Sequence, residues 1–286
     1  MPYGLIQRFE TGTGPLAFSL DTLSQAQLRN RIADDLYARI EAPETIHQGA
    51  APLCGPAAFM FCLAKTSPYA YARYVIDLAE TGEATLGTLQ VKPGKACRNA
   101  RLGSRISAAD WIALASLRDA SNSVLAMAGP DSSTAGITGA ATMAEWFQHC
   151  GLFVSVSNQA QYAPASLDRL LAADRHAGLG HFVCLLIRAA IVETVGGEVP
   201  LNKLGHGTPK TLLGTPDHWV VVQSPLRLGP CCYNPAHPPS VEALLKTRLA
   251  FSIYSWGLTT VNNRITDLTV GQFLPYFYGF VSAGHP

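Results

Sequence analysis

The stretch Gln48-Gly49-Ala50-Ala51-Pro52-Leu53-Cys54-Gly55-Pro56, running straight into Ala57-Ala58-Phe59-Met60-Phe61-Cys62-Leu63-Ala64, decides how this chain is read. Its first half is made of turn residues and its second half is apolar at every position. A helix that is apolar all round is one that the rest of the fold covers, so 57–64 is expected at the centre of a core. Cys54 stands at the junction, where that helix begins. Unpaired backbone N–H groups at a helix start stabilise negative charge, and the thiolate is the nucleophilic form of cysteine. Gly55 allows close approach to the backbone, and Pro56 falls in the first helical turn, where a missing N–H is tolerated. The chain has seven cysteines, at 54, 62, 97, 150, 184, 231 and 232. Residue type alone therefore favours a packing role for Cys54, since a buried thiol behaves as a small hydrophobe. Position at the junction is what separates it from the other six.

Outward from this core the chain changes character once. Leu28, Ile32, Leu36 and Ile40 recur every fourth residue, which predicts an amphipathic helix ending before Pro43. Ser107 with Asp110 resembles a capping box and starts a helix through Leu117; a further helix is expected from Ala141 to His149, and Ser166 caps a short one leading to Gly180. Gly129-Pro130-Asp131-Ser132-Ser133-Thr134-Ala135-Gly136 reads as a loop. Leu152 to Ser157 is expected as a strand, and beyond Gly180 strands dominate: Phe182–Ile187, His218–Val222 and Phe251–Trp256 are β-branched or aromatic runs bounded by Gly and Pro. The aromatics Phe273, Tyr276, Phe277, Tyr278 and Phe280 are read as a closing helix packed on the sheet. Helices first and strands later predict an α+β fold, divided as an N-terminal helical arm over 1–45, a helical lobe over 46–160 and a β-rich lobe over 161–286.

Composition narrows the classes of function. With 286 residues, 48% hydrophobic and 14% charged, the chain can bury a sizeable core, which argues against extensive disorder. A formal net charge of +1 without a long basic block gives no sustained positive surface, so nucleic acid is not expected as a partner. The longest apolar run, His181 to Val192, contains Arg188 and is too short to span a bilayer. Met1-Pro2-Tyr3-Gly4-Leu5 has none of the parts of a secretory signal, so synthesis ending in the cytoplasm, or export by a dedicated machine, is expected. The odd cysteine count and irregular gaps do not indicate a disulfide framework, and the adjacent Cys231-Cys232 pair lacks metal-knuckle spacing. Neither a metal nor any other cofactor is expected.

A cysteine nucleophile needs a base. His218 opens the apolar strand Trp219-Val220-Val221-Val222, and Asn234 follows it by sixteen positions within Tyr233-Asn234-Pro235. That spacing suits two antiparallel strands, the second returning its residue to the side of the histidine. His47, beside Gln48, is read as a loop residue.

Together these residues resemble the papain-like cysteine peptidase superfamily. There a Gln stands six positions before the nucleophile, as Gln48 precedes Cys54, the Cys opens a central helix, and the base and its Asn or Asp partner carry the spacing of His218 and Asn234. Leu53-Cys54-Gly55-Pro56-Ala57-Ala58 also resembles the start of the bacteriocin-processing, double-glycine peptidases, with His218-Trp219-Val220-Val221 and Asn234-Pro235 as further echoes. The layout as a whole is similar to papain-like bacterial effector and toxin proteins. The resemblance implies one papain-like catalytic unit over 46–286, with the helical lobe packed against an antiparallel sheet and the active-site cleft between them. It implies Cys54 as nucleophile, His218 as base, Asn234 as its orienting partner and Gln48 as oxyanion donor. A rival for Asn234 is the strand Phe251-Ser252-Ile253-Tyr254-Ser255-Trp256-Gly257, which looks like the family's Asn-Ser-Trp-Gly strand with Tyr254 in place of Asn. In that case 226–249 is an inserted loop and the enzyme works as a dyad; Asp217 and Asp267 have weaker claims.

The activity implied is cleavage of a protein or peptide amide bond by a hydrolase used as a secreted effector or toxin. A cognate immunity or inhibitor protein, or a component of a secretion system, would be its partner. The same residues serve deamidation, transglutamination or cleavage of peptidoglycan peptides. A reading from another class is an inactive papain-like module that binds a partner.

Overall fold

The computed structural model describes residues 1–121, 137–192, 215–228, 231–232, 236, 239–255 and 264–286. It is a mixed α+β chain that divides into two compact units, the first built chiefly from Met1–Val154 and the second from Ser155–Ser255 together with 264–285.

The first unit is helical: α1 (Pro2–Glu10), α2 (Gln25–Glu41), α3 (Cys54–Thr66), α4 (Pro68–Thr81), α5 (Lys95–Arg98), α6 (Ala108–Asp110), α7 (Ser116–Ala120) and α8 (Ala140–His149). A π-helical turn, Trp111–Ala115, joins α6 to α7 without a break. A small hairpin, β1 (Ala84–Leu86) and β2 (Leu89–Val91), completes it. The periodic residues Leu28, Ile32, Leu36 and Ile40 are all buried on one face of α2, whose start is fixed by a capping box between Ser24 and Gln27. Helix α3 is buried at every position from Cys54 to Ala64, as an all-apolar helix must be. It lies among α2, α4, α8 and the Trp111–Ala115 turn. Phe59 carries much of that packing, meeting Phe147 edge-on at 5.1 Å and Trp146 at 5.8 Å between ring centroids. Full burial of each such ring contributes about 1.5–3 kcal/mol. Two buried indoles find polar partners: Trp146 Nε1 donates to Ser121 Oγ at 2.9 Å, and Trp111 Nε1 donates to the Cys97 carbonyl at 3.0 Å.

The second unit carries the sheet. Its strands are β3 (Val154–Asn158), β4 (Phe182–Ile187), β5 (His218–Val222), β6 (Arg227–Leu228), β7 (Cys231–Cys232), β8 (Arg248–Tyr254), β9 (Arg264–Thr269) and β10 (Phe277–Gly284). Among the described residues they run in the order β3-β10-β4-β5-β8-β6-β7, with β9 also paired to β8. The β10–β4, β4–β5 and β5–β8 pairings are antiparallel. Among the described residues three helices accompany them: α9 (Leu167–Gly178), packed on β4 and β10, α10 (Val241–Lys246) and α11 (Val270–Phe273). Ser166 is the cap residue of α9, although its hydroxyl makes no cap bond.

One expectation is overturned. The aromatic run 273–280 is not a closing helix: α11 ends at Phe273, and Phe277 begins β10, an interior strand buried at all eight positions. A strand covered on both faces shows no polar-apolar alternation, so its period of two is invisible in the sequence. The loop read at 129–136 lies outside the described residues.

Candidate functional site

In the first unit, Cys54 is the first residue of α3 and is 5% exposed. The cap residue is Leu53, whose side chain has no acceptor to offer, so the chain supplies no side-chain cap at this helix start. Gly55 is required on steric grounds. A Cβ at this position would lie 2.3 Å from Thr138 Oγ1 and 2.5 Å from Thr138 Cβ.

A second group near the sulfur was not foreseen. Arg118, in α7, is 7% exposed; burial pushes its guanidinium down, and the charge of a Cys54 thiolate pushes it back up. The same field read from the other side favours the thiolate. Its signal in the sequence is slight: Trp111, Ala115 and Arg118 share one helical face by spacing, and a cation on an otherwise apolar face needs an anion.

Gln48 lies on the loop leading into α3 and is buried. Its Nε2 donates to the Ala51 carbonyl at 3.1 Å, within a turn where Ala51 N–H also reaches the Gln48 carbonyl at 3.4 Å. A side-chain amide nitrogen has two hydrogens, so this bond uses one of them. Gln48 Oε1 is buried with no hydrogen-bond partner.

Behind this loop sits a buried ionic cluster. Asp110 is fully buried and receives Arg39 at both oxygens, Nε to Oδ1 at 3.1 Å and an Nη to Oδ2 at 2.6 Å. Asp110 Oδ2 also accepts the His47 backbone N–H at 3.1 Å. The neighbouring Asp35 accepts the Ala109 N–H at 3.0 Å, and burial pushes its carboxyl up. The Ser107 hydroxyl accepts the Asp110 N–H at 3.2 Å, so the helix start read at Ser107 also anchors the cluster.

In the second unit, His218 is the first residue of β5 and is 3% exposed. Burial pushes its imidazole down from the usual 6.5 to about 3, so the ring is neutral across ordinary pH. Its Nε2 lies 2.8 Å from Ser255 Oγ. Ser255 was not singled out in the sequence, where Tyr254 held the position of interest on this strand. Register decides between them: Tyr254 pairs with Val221, and the next residue, on the opposite face, is the one that reaches the histidine. Asn234 lies outside the described residues. Asp217 is engaged elsewhere, accepting the Ala189 N–H at 2.6 Å.

Among the described residues, no group of three or more His, Cys, Asp or Glu is placed to hold a metal ion, and no helix is long and apolar enough to cross a membrane. Cys54, Cys62, Cys97, Cys150 and Cys184 are buried thiols outside any disulfide. Burial pushes the Cys97 and Cys150 thiols up, away from the reactive thiolate form. Comparison of the chain with protein-family models, with curated proteins and with solved structures gives no match.

Proposed function

We propose that this chain is a papain-like cysteine hydrolase that cleaves an amide bond of a protein or peptide, with Cys54 as nucleophile and His218 as base. The observation that carries the reading is the setting of Cys54: the first residue of a fully buried helix, with no side-chain cap ahead of it and the charge of Arg118 acting on its sulfur. Two independent sources of positive potential, the helix start and the guanidinium, favour the same anion.

In the proposed cycle His218 takes the proton of Cys54, and the thiolate attacks the amide carbonyl carbon. Negative charge moves to the carbonyl oxygen, where the Cys54 backbone N–H and the second Nε2 hydrogen of Gln48 serve as donors. The tetrahedral adduct collapses as the C–N bond breaks and the amine leaves with the proton from His218. A water molecule then attacks the thioester, His218 taking its proton, and the C–S bond breaks to give a carboxylic acid and the original thiol. A ring that burial holds neutral is a weak base towards solvent, yet it accepts a proton where a thiolate forms as its counter-charge. Ser255 is the positioning residue for that ring, the role expected of Asn234.

The test is alkylation by iodoacetamide near neutral pH. Rapid labelling of one thiol, lost in Cys54→Ala and slowed at least tenfold in His218→Ala, is the expected result. Labelling of all seven thiols at one slow rate, unchanged in either variant, would refute the proposal. A role as an effector acting in a target cell follows if cells making the wild-type chain grow poorly while those making Cys54→Ala grow normally.

A further inference from the structure

The loop that carries Gln48 is held by a device that the proposed chemistry does not use. On one side of Gln48, the His47 N–H is bound to Asp110 Oδ2 at 3.1 Å, and Asp110 is locked in turn by Arg39. On the other side, the Gly49 N–H donates to the His47 ring at Nδ1, 2.9 Å away. Gly49 has a φ of +62°, and a Cβ there would lie 2.3 Å from the Arg105 carbonyl oxygen, so the backbone at 49 is pressed against 105 with no room to shift that way. The backbone on both sides of Gln48 is thereby pinned, and one of the two pins is an imidazole.

We propose that His47 is a positioning residue for Gln48: its neutral ring, accepting the Gly49 N–H at Nδ1, closes the loop, and a proton taken up at Nδ1 opens it. The bond demands a lone pair on Nδ1, which places the single ring proton of the neutral form on Nε2. A second proton at Nδ1 would oppose the Gly49 N–H with another donor. The charged groups that act on the ring are Asp110 on α6 and Arg39 on α2; the same pair acts in turn on Asp35 of α2 and on the phenol of Tyr71 on α4. Arg105 contributes its carbonyl at Gly49. Burial favours the neutral ring, the Asp110 carboxylate opposes this, and Arg39 restores it; the net direction is downward, so the loop is closed at neutral pH. A side-chain acceptor reaching the N–H two residues on is what Asn supplies in an Asx-turn. His47→Asn therefore offers an acceptor of the same reach that no proton can remove, and His47→Ala offers none.

The experiment uses the full chain, with amide exchange of Gly49 read by NMR and referenced to Leu63 inside α3, so that global opening cancels. In wild type the relative protection of Gly49 is expected to fall about tenfold between pH 7 and pH 4.5, the scale of one lost hydrogen bond. In His47→Asn it is expected to hold at both pH values, and in His47→Ala to be low at both. Asp35, whose carboxyl is also pushed up, titrates alike in all three chains and cannot produce the difference. The same samples are alkylated at Cys54 with iodoacetamide across this range; the rate reads the thiolate and not the oxyanion donor, so wild type and His47→Asn are expected to react alike at each pH. The effect on activity rests on the proposed roles of Gln48 and Cys54, and the two can fail separately. Equal Gly49 protection in wild type and His47→Asn at both pH values overturns the positioning role, whatever Cys54 does. The expected exchange pattern with an unreactive Cys54 leaves the positioning role standing and removes the hydrolase. Should His47→Ala not fold, the wild-type and His47→Asn comparison decides alone.

Discussion

Acidification should destabilise the second unit through His218. In the unfolded chain this imidazole titrates near its usual 6.5, whereas burial in the fold brings it to about 3. Between these values the unfolded state holds one more proton than the folded state, so stability is full above pH 6.5 and declines as pH falls, the loss being complete near pH 3. At pH 4.5 the unfolded form is almost wholly protonated at this site and the folded form almost not at all. The gap to 6.5 is then about two pH units, worth about 3 kcal/mol. His218→Gln keeps a polar side chain that can reach Ser255 and removes the titration. The assay is native-state amide exchange of β5 under increasing urea, at pH 7 and at pH 4.5, which reads the second unit without requiring both units to unfold together. Wild type should lose about 3 kcal/mol more than His218→Gln between the two conditions, since every other titrating group is common to both. Equal losses in the two chains, or a His218 ring resonance that titrates near 6.5, would show that the ring is not held neutral by burial.

Two further substitutions probe the start of α3. Gly55→Ala drives a methyl group to 2.3 Å from Thr138 Oγ1 and should cost about 1–3 kcal/mol, seen as a lower thermal midpoint, with part of it recovered when Thr138→Gly is added; an unchanged midpoint would mean that this contact yields freely. Arg118→Met removes the cation acting on Cys54 while keeping bulk, and should move the pH midpoint of Cys54 alkylation up by about one unit, Arg118→Lys moving it less; a midpoint at the wild-type value in both would remove Arg118 from the site.

What the sequence disclosed, and what it withheld, follows from the range of the forces concerned. The face Leu28, Ile32, Leu36, Ile40 and the all-apolar 57–64 run are local patterns, and both appear as expected in α2 and α3. Strands β4 and β5 were legible for the same reason, being short β-branched runs with sharp ends. Strand β10 was not. It is buried on both faces, and Gly279, at φ +100°, interrupts its register with β4 between Phe277 and Phe280, so neither alternation nor an even run was present to read. At the site, Cys54 and Gln48 were legible because their setting is a junction within nine residues of chain. Ser255 and Arg118 were not, because each owes its place to how one element lies on another: the β5–β8 register in one case and helix packing around α3 in the other.

The position of β10 between β3 and β4 also bears on how the polypeptide emerges during synthesis. The first unit draws on a nearly continuous segment and can close while translation proceeds, as N-terminal portions generally do. Strand β4, Phe182 to Ile187, has no neighbour on its β10 side until Phe277 and the residues after it have left the ribosome. For that interval a short apolar edge, rich in the residues that pair promiscuously, is open to other nascent chains. Closure of the sheet at β4 therefore waits on residues far downstream, and that interval is when the chain is most open to misassembly.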